Sequence, residues 1–213
     1  MDKPHIRIGT RGSDLALWQA NHVKARLESL GCAVSIQIIQ TQGDRIQDLS
    51  FDKLEGKGFF TKEIETALLS GDVDLAVHSH KDLETTPPPG LVIAAVSERE
   101  DPSDLLLMRA ESHDPSETFE LKAGARIGTS SARRQSILRN FRSDLEIVEL
   151  RGNVPTRIEK LRSGQYDAIL LAKAGVSRLN LDTSDLVTLT LNPKEFVPAP
   201  AQGVLGLQVR EAD

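Results

Sequence analysis

The sequence predicts an α/β protein made of two similar lobes joined by two crossings. Three observations predict it. Short apolar runs alternate with stretches whose apolar residues recur at helical spacing, the pattern of βα units. Arg7-Ile8-Gly9-Thr10 returns unchanged as Arg126-Ile127-Gly128-Thr129, and Leu69-Ser70-Gly71-Asp72-Val73-Asp74-Leu75-Ala76 is echoed by Arg162-Ser163-Gly164-Gln165-Tyr166-Asp167-Ala168-Ile169. A last apolar run, residues 204–209, follows a Pro-rich break and can return to the first lobe.

Taken in order, Ile6-Arg7-Ile8 reads as a strand and Gly9-Thr10-Arg11-Gly12-Ser13 as a turn, with Ser13 as the cap of the next helix. Ala16, Ala20, Val23, Leu27 and Leu30 repeat at helical spacing as far as Gly31. Residues 34–39 form the next strand. Residues 43–58 carry little regular signal, and the two glycines and two lysines of Asp52-Lys53-Leu54-Glu55-Gly56-Lys57-Gly58 suit a mobile flap. Phe59 and Phe60 lead into a helix marked by Ile64, Leu68 and Leu69. Residues 73–77 form a strand, and residues 91–96 are expected to form another buried one. The charged stretch 98–104 is a crossing, after which Leu105-Leu106-Leu107-Met108 resumes as a strand.

In the second lobe, Ser130-Ser131 heads a helix ending near Phe141. Residues 146–150 form a strand, Pro155 occupies the first turn of a helix running to Arg162, and Lys173 opens another. Val197-Pro198-Ala199-Pro200-Ala201-Gln202-Gly203 is the second crossing. The lobes are therefore residues 1–99 plus 200–213, and residues 100–199. Two crossings between two such lobes is the layout of a type II periplasmic-binding-protein-like fold, with a cleft between the lobes.

Bulk properties exclude several functions. The 213 residues carry a formal net charge of -5, so no global basic field attracts nucleic acid or an anionic membrane. No apolar run approaches the roughly 20 residues that cross a bilayer. Met1-Asp2-Lys3-Pro4-His5 lacks the apolar core of a signal peptide, so a cytoplasmic location is expected. The single cysteine, Cys32, excludes an internal disulfide and a multi-Cys zinc site, and reads as a small apolar residue at a strand start. There is no G-x-x-x-x-G-K-[ST] loop and no G-x-G-x-x-G after a strand, which leaves nucleotide chemistry unsupported.

The chemistry gathers where strands end. Val77-His78-Ser79-His80-Lys81-Asp82-Leu83 follows an apolar strand and precedes Thr85-Thr86-Pro87-Pro88-Pro89-Gly90, so a cluster of polar side chains is delivered where α/β folds bind ligands. Arg11, Lys81, Arg133, Arg134, Arg151, Arg157 and Arg178 occupy similar loop positions, accompanied by Ser13, Ser79, Thr129, Ser130 and Ser131. Arginine forks and helix N-termini both recognise carboxylate and phosphate. A cleft lined this way suits a polyanion. Asp82 is then either a salt-bridge partner or the group that stabilises positive charge developing in a substrate. His78, His80 and Asp82 lie close in sequence, but no further ligand is spaced to complete a metal site, and none is expected.

These motifs also carry a resemblance. Ile8-Gly9-Thr10-Arg11-Gly12-Ser13 with Leu15-Ala16-Leu17-Trp18-Gln19-Ala20 resembles the start of the hydroxymethylbilane synthase family, also called porphobilinogen deaminase. So do Gly56-Lys57-Gly58-Phe59-Phe60-Thr61-Lys62-Glu63, Ala76-Val77-His78-Ser79 with Lys81-Asp82, Gly128-Thr129-Ser130-Ser131 with Arg133-Arg134-Gln135, Leu150-Arg151-Gly152-Asn153 with Thr156-Arg157, and Ala174-Gly175 with Arg178-Leu179. The resemblance implies a transferase of tetrapyrrole and haem biosynthesis, which joins four porphobilinogen units into hydroxymethylbilane with release of ammonia. It implies a monomer, dipyrromethane as cofactor, and no nucleic-acid or membrane partner.

By the same resemblance Asp82 is the catalytic carboxylate, with Lys81 and Arg11 beside it. Ser13, Ser79, Lys81, Asp82, Thr129, Ser130, Ser131, Arg133, Arg134, Arg151 and Gly152 match cofactor-binding positions. Arg11, Phe60, Arg151, Arg157, Arg178 and Gln202 match substrate-binding ones. Residues 43–58 match a mobile active-site loop. The family's third domain, whose cysteine holds the dipyrromethane primer by a thioether, has no counterpart in these residues, and Cys32 matches no cofactor cysteine. The other reading of the same cleft is a two-lobed polycarboxylate-binding or sensing module without catalysis. The Lys81-Asp82 pair distinguishes them, because a pure binder has no need of it.

Overall fold

The structure, a computed structural model, describes residues 4–45 and 60–213. It forms two compact units, Met1–Glu100 with Ala201–Asp213, and Asp101–Pro200. Unit 1 begins with β1 (His5–Thr10), α1 (Asp14–Ser29), β2 (Ala33–Ile38), α2 (Gln42–Arg45), α3 (Lys62–Leu69), β3 (Leu75–Ser79) and β4 (Leu91–Val96). Unit 2 holds β5 (Asp104–Met108), β6 (Arg126–Gly128), α4 (Ala132–Phe141), β7 (Glu146–Val148), α5 (Val154–Arg162), β8 (Ala168–Ala172), α6 (Lys173–Arg178) and β9 (Val187–Thr190). The chain then returns to unit 1 as β10 (Leu205–Arg210).

Each unit is built on a five-stranded sheet, ordered β2-β1-β3-β10-β4 in unit 1 and β7-β6-β8-β5-β9 in unit 2. The first three strands of each order run parallel, and the fourth is antiparallel to both its neighbours. The two sheets therefore share one plan, but the antiparallel strand closes unit 1 and opens unit 2.

The repeated tetrapeptides have a common physical cause. The main-chain N–H of Arg7 donates to the Asp74 carboxylate at 2.9 Å and that of Arg126 donates to the Asp167 carboxylate at 2.8 Å. In return the Asp74 and Asp167 N–H groups donate to the Arg7 and Arg126 carbonyls. The two sequence echoes are thus halves of one joint, which locks β1 to β3 in unit 1 and β6 to β8 in unit 2. The shared glycine follows from close packing. A Cβ at Gly9 would meet Val73 Cγ2 at 3.0 Å, and one at Gly128 would meet Tyr166 Cδ1 at 2.9 Å.

Local signals set the helices. Ser13 caps α1 by accepting from the Ala16 N–H, Ser131 caps α4 through Arg134, and Asn153 caps α5 through Thr156. Each such cap contributes about 1 kcal/mol. Alternation along β5 feeds two cores at once, since Leu106 and Met108 join one buried cluster and Leu105 and Leu107 the other. In unit 1, Ile8, Val77 and Leu205 pack with α1, while Val73, Ala76 and Leu91 pack with α3. The Arg210 guanidinium then donates to the Leu68 and Val73 carbonyls, both at 2.7 Å, and fastens β10 to the end of α3.

The structure departs from the sequence reading in four places. Residues 91–96 do not form a buried strand, because β4 lies at a sheet edge with β10 as its one ladder partner among the described residues, and Ala94, Ala95 and Val96 are exposed. The strand expected at 146–150 stops at Val148. Within the expected flap, Gly43, Asp44 and Arg45 belong to α2, while the reading of residues 46–58 lies outside the described residues. β9 is an edge strand beyond those the sequence predicts, with Val187 and Leu189 alternating with Thr188 and Thr190.

Candidate active site

In unit 1, β1 and β3 lie side by side, so the turn after β1 meets the segment after β3 at one end of the sheet. They share an open cavity on the surface of the unit. Of the residues singled out by sequence, Arg11, Ser13, Phe60, Ser79 and Asp82 line it. Asp82 is the one carboxylate among the described lining residues. It stands in a short 3₁₀ turn, His80–Asp82, exposed to solvent. Lys81 is not part of this lining. It donates instead to Gln202 Oε1 at 3.5 Å, and Gln202 is almost wholly buried beside the crossing.

Arg11 is held on two sides. Its Nε donates to Asp44 Oδ1 at 3.0 Å, its Nη2 pairs with the same carboxylate, and its guanidinium lies 4.2 Å from the Phe60 ring centroid. Asp44 is itself fixed by the Thr41 main-chain N–H and hydroxyl. Burial pushes the Asp44 carboxyl up, but the bonds from Arg11 and Thr41 outweigh it and hold its pKa below the ordinary carboxylate value. Behind Ser79, buried Gln19 on α1 donates its amide to the Ser79 hydroxyl at 2.8 Å. Sequence reading missed both Asp44 and Gln19. Periodicity marks Gln19 only as one residue of an amphipathic face, and Asp44 sits in a stretch without pattern.

His78 belongs to a structural chain rather than a metal site. Gln208 donates its amide to Glu65 Oε1 at 3.2 Å, so its oxygen faces His78, and the imidazole Nε2 carries the hydrogen that meets it at 3.2 Å. His80 begins the 3₁₀ turn, beyond the end of β3 at Ser79. Among the described residues no group of three His, Cys, Asp or Glu side chains could hold a metal ion.

Burial lowers the His78 pKa to about 4, with Arg11 and His80 adding to the effect and the Gln208 bond opposing it. An unfolded histidine titrates near ~6.5. As pH falls the unfolded chain therefore takes up this proton first. The site's contribution to stability is complete above ~6.5, is lost as pH drops from ~6.5 towards about 4, and changes little below that. Asp74 and Asp101, held at about 2 chiefly by bonds from Arg7 and Lys173, act at lower pH. The urea midpoint of unit 1 is expected to fall across this window, and a His78→Gln variant is expected to lack that portion of the slope.

In unit 2 the predicted residues separate into two groups. Ser130 bridges inward, donating to the Leu150 carbonyl at 2.9 Å and accepting from its N–H at 3.1 Å. Arg134 is buried, donates Nε and Nη2 to Asp104 at 3.1 and 2.6 Å, and gives Nη1 to the Leu170 carbonyl at 3.0 Å. Its whole fork is spent inside the unit, so the expected ligand arm is a structural residue here. Arg133 and Arg134 are about 100° apart on α4; both reach Asp104, but Arg134 is the more buried. Arg133 Nη2 donates to Asp104 Oδ2 at 2.7 Å and its Nη1 to the Val197 carbonyl, and the side chain remains partly accessible.

The other predicted positions lie on loops and helix starts. Thr129 and Ser131 stand at the head of α4, with the Ser131 N–H donating to the Thr129 hydroxyl at 3.3 Å. Gly152 has φ of 111°, and its carbonyl accepts from Arg157 Nε at 2.7 Å. Arg151 Nε lies 3.5 Å from Glu149, and Arg178 ends α6, half-buried.

Comparison with known proteins places these loops in context. Residues 6–213 match the family described as "Porphobilinogen deaminase, dipyromethane cofactor binding domain". A porphobilinogen deaminase of Nitratidesulfovibrio vulgaris (strain DP4) is 50% identical over 211 residues, which is 97% of this chain and 65% of that protein. One from Syntrophobacter fumaroxidans is 48% identical over 207 residues, again 65% of its own length. The chain thus spans about 65% of the relatives it matches. Among solved structures, the periplasmic VFT2 domain of Bordetella pertussis BvgS aligns with all of this chain and 83% of its own, at a TM-score of 0.56 and 13% identity. An ancestral cationic amino acid solute binding protein covers 98% of this chain and 83% of its own, at a TM-score of 0.54 and 15% identity. These likenesses show a two-lobed periplasmic-binding-protein-like fold.

Proposed function

The chain belongs to the porphobilinogen deaminase family, and we propose that it carries the chemistry by which porphobilinogen units are joined head to tail into hydroxymethylbilane, a transferase step of tetrapyrrole and haem biosynthesis. In each addition the C–N bond of an aminomethyl group breaks and ammonia leaves. The carbon left behind bonds to a pyrrole carbon of the growing chain, and that carbon then loses its proton. Positive charge develops on the ring when ammonia departs, and a fixed carboxylate lowers that barrier most effectively.

The observation that carries this reading is the company Asp82 keeps. It shares one cavity with the ring of Phe60 and the guanidinium of Arg11, which suit a flat heterocycle and its carboxylates. Ser79, steadied by Gln19, offers a hydroxyl on the same wall. His78 stays neutral at physiological pH, so it adds no competing cation.

Dipyrromethane bears acetate and propionate groups. Thr129, Ser131, Arg133, Arg151 and Arg157 form a donor set of the right chemistry for them, whereas Arg134 and Ser130 serve the interior. When bound, that group supplies the pyrrole end to which the first unit is added. Lys81 and Gln202 in unit 1 and Arg178 in unit 2 are further proposed substrate or cofactor residues. The reading includes a cytoplasmic monomer acting without nucleic acid or membrane. No helix among the described residues is long and apolar enough to cross a membrane.

The test is to give the purified chain porphobilinogen, with and without added dipyrromethane, and to follow ammonia release. Primer-dependent release is the expected result. Saturable binding without any release, in this chain and in one carrying the remaining length of its relatives, would leave only a binding module.

A further inference from the structure

We infer that Asp44 is a positioning residue that presents Arg11 to a ligand carboxylate. This rests on the proposed function and adds a residue to it. The Arg11 guanidinium has two edges that can accept a bidentate partner. Asp44 occupies the edge formed by Nε and Nη2. Phe60 covers one face of the plane. Among the described residues, no group bonds Nη1, and Arg11 lines the cavity that Asp82 also lines. The guanidinium is thereby fixed in plane and in rotation, with its remaining edge available to the cavity.

The support continues behind Asp44. Thr41 is fully buried and gives both its N–H and its hydroxyl to Asp44 Oδ2, at 3.2 and 2.7 Å. A long, flexible arginine normally loses considerable rotamer freedom on binding. Here that cost is met during folding, by a chain running Thr41, Asp44, Arg11. Asp44 also offsets the charge of Arg11, so an arriving carboxylate meets an oriented donor pair more than a bare cation.

The test compares porphobilinogen affinity for the wild-type chain, Asp44→Asn, Arg11→Gln and the double variant by calorimetry. Asp44→Asn is expected to weaken binding about tenfold, as a lost charge-assisted bond at an orienting position does. Once Arg11 is replaced, Asp44→Asn should have little further effect, a coupling that a merely structural role would not give. Asp44→Glu should recover part of the affinity. The Arg11 Nε–H should be protected from exchange in the wild type and not in Asp44→Asn, a readout that needs no ligand. Unchanged or tighter binding by Asp44→Asn would overturn the inference while leaving the proposed function standing. No binding by the wild type would overturn both.

Discussion

In a chain carrying the full length of its relatives, Asp82→Ala lowers turnover by about a thousandfold or more while the protein stays folded. The size follows from the role, since removing a group that stabilises charge in the transition state typically costs 10²–10³ or more in rate. The intact fold follows from the position. Asp82 is exposed in a 3₁₀ turn, and its side chain makes no hydrogen bond or ion pair with another described residue. Asp82→Asn keeps the shape and loses the charge, so it should reduce kcat far more than it raises KM. Steady-state kinetics with thermal melts decide the matter. Activity of Asp82→Ala within tenfold of the wild type would remove Asp82 from the reaction.

The second large effect is on stability. Arg134→Met should destabilise unit 2 by ~3–5 kcal/mol, because Asp104 has no exposed surface and loses its more buried partner. Adding Asp104→Leu should recover part of the loss, since a buried ion pair costs more to break than to replace with apolar atoms. The single tyrosine, Tyr166, lies in unit 2 and the single tryptophan, Trp18, in unit 1, so the two units can be followed separately in denaturant. A Tyr166 transition that does not move in Arg134→Met would show that the pair contributes little.

Much of the fold was legible because its signals are local. Ser13, Ser131 and Pro155 mark helix starts within a few residues, and the repeated Arg-Ile-Gly-Thr marks the same joint twice. Candidate residues at strand ends were legible for the same reason, and five of them meet in one cavity. What escaped is made of contacts between distant positions. Arg11 and Asp44 are 33 residues apart, Gln19 and Ser79 are 60 apart, and His78 and Gln208 are 130 apart. No spacing rule reaches that far. Adjacent arginines gave the opposite difficulty: nothing in the pair Arg133-Arg134 tells which one the helix turns inward. The apolar residues of β4 looked buried because composition reports what a strand is made of, and not whether it lies at an edge.

The return of β10 to unit 1 bears on the order in which a ribosome can complete this protein. Synthesis delivers residues 101–200 without interruption, so unit 2 has all its strands before unit 1 does. Until residues 205–210 emerge, β3 lacks a neighbour on one side, β4 has no ladder partner, and the Arg210 fastening to α3 is absent. Domains generally fold as units during synthesis. The amino-terminal segment of unit 1, residues 1–100, must therefore wait as an open sheet edge through about a hundred further additions, and the segment translated first is among the last to be made secure.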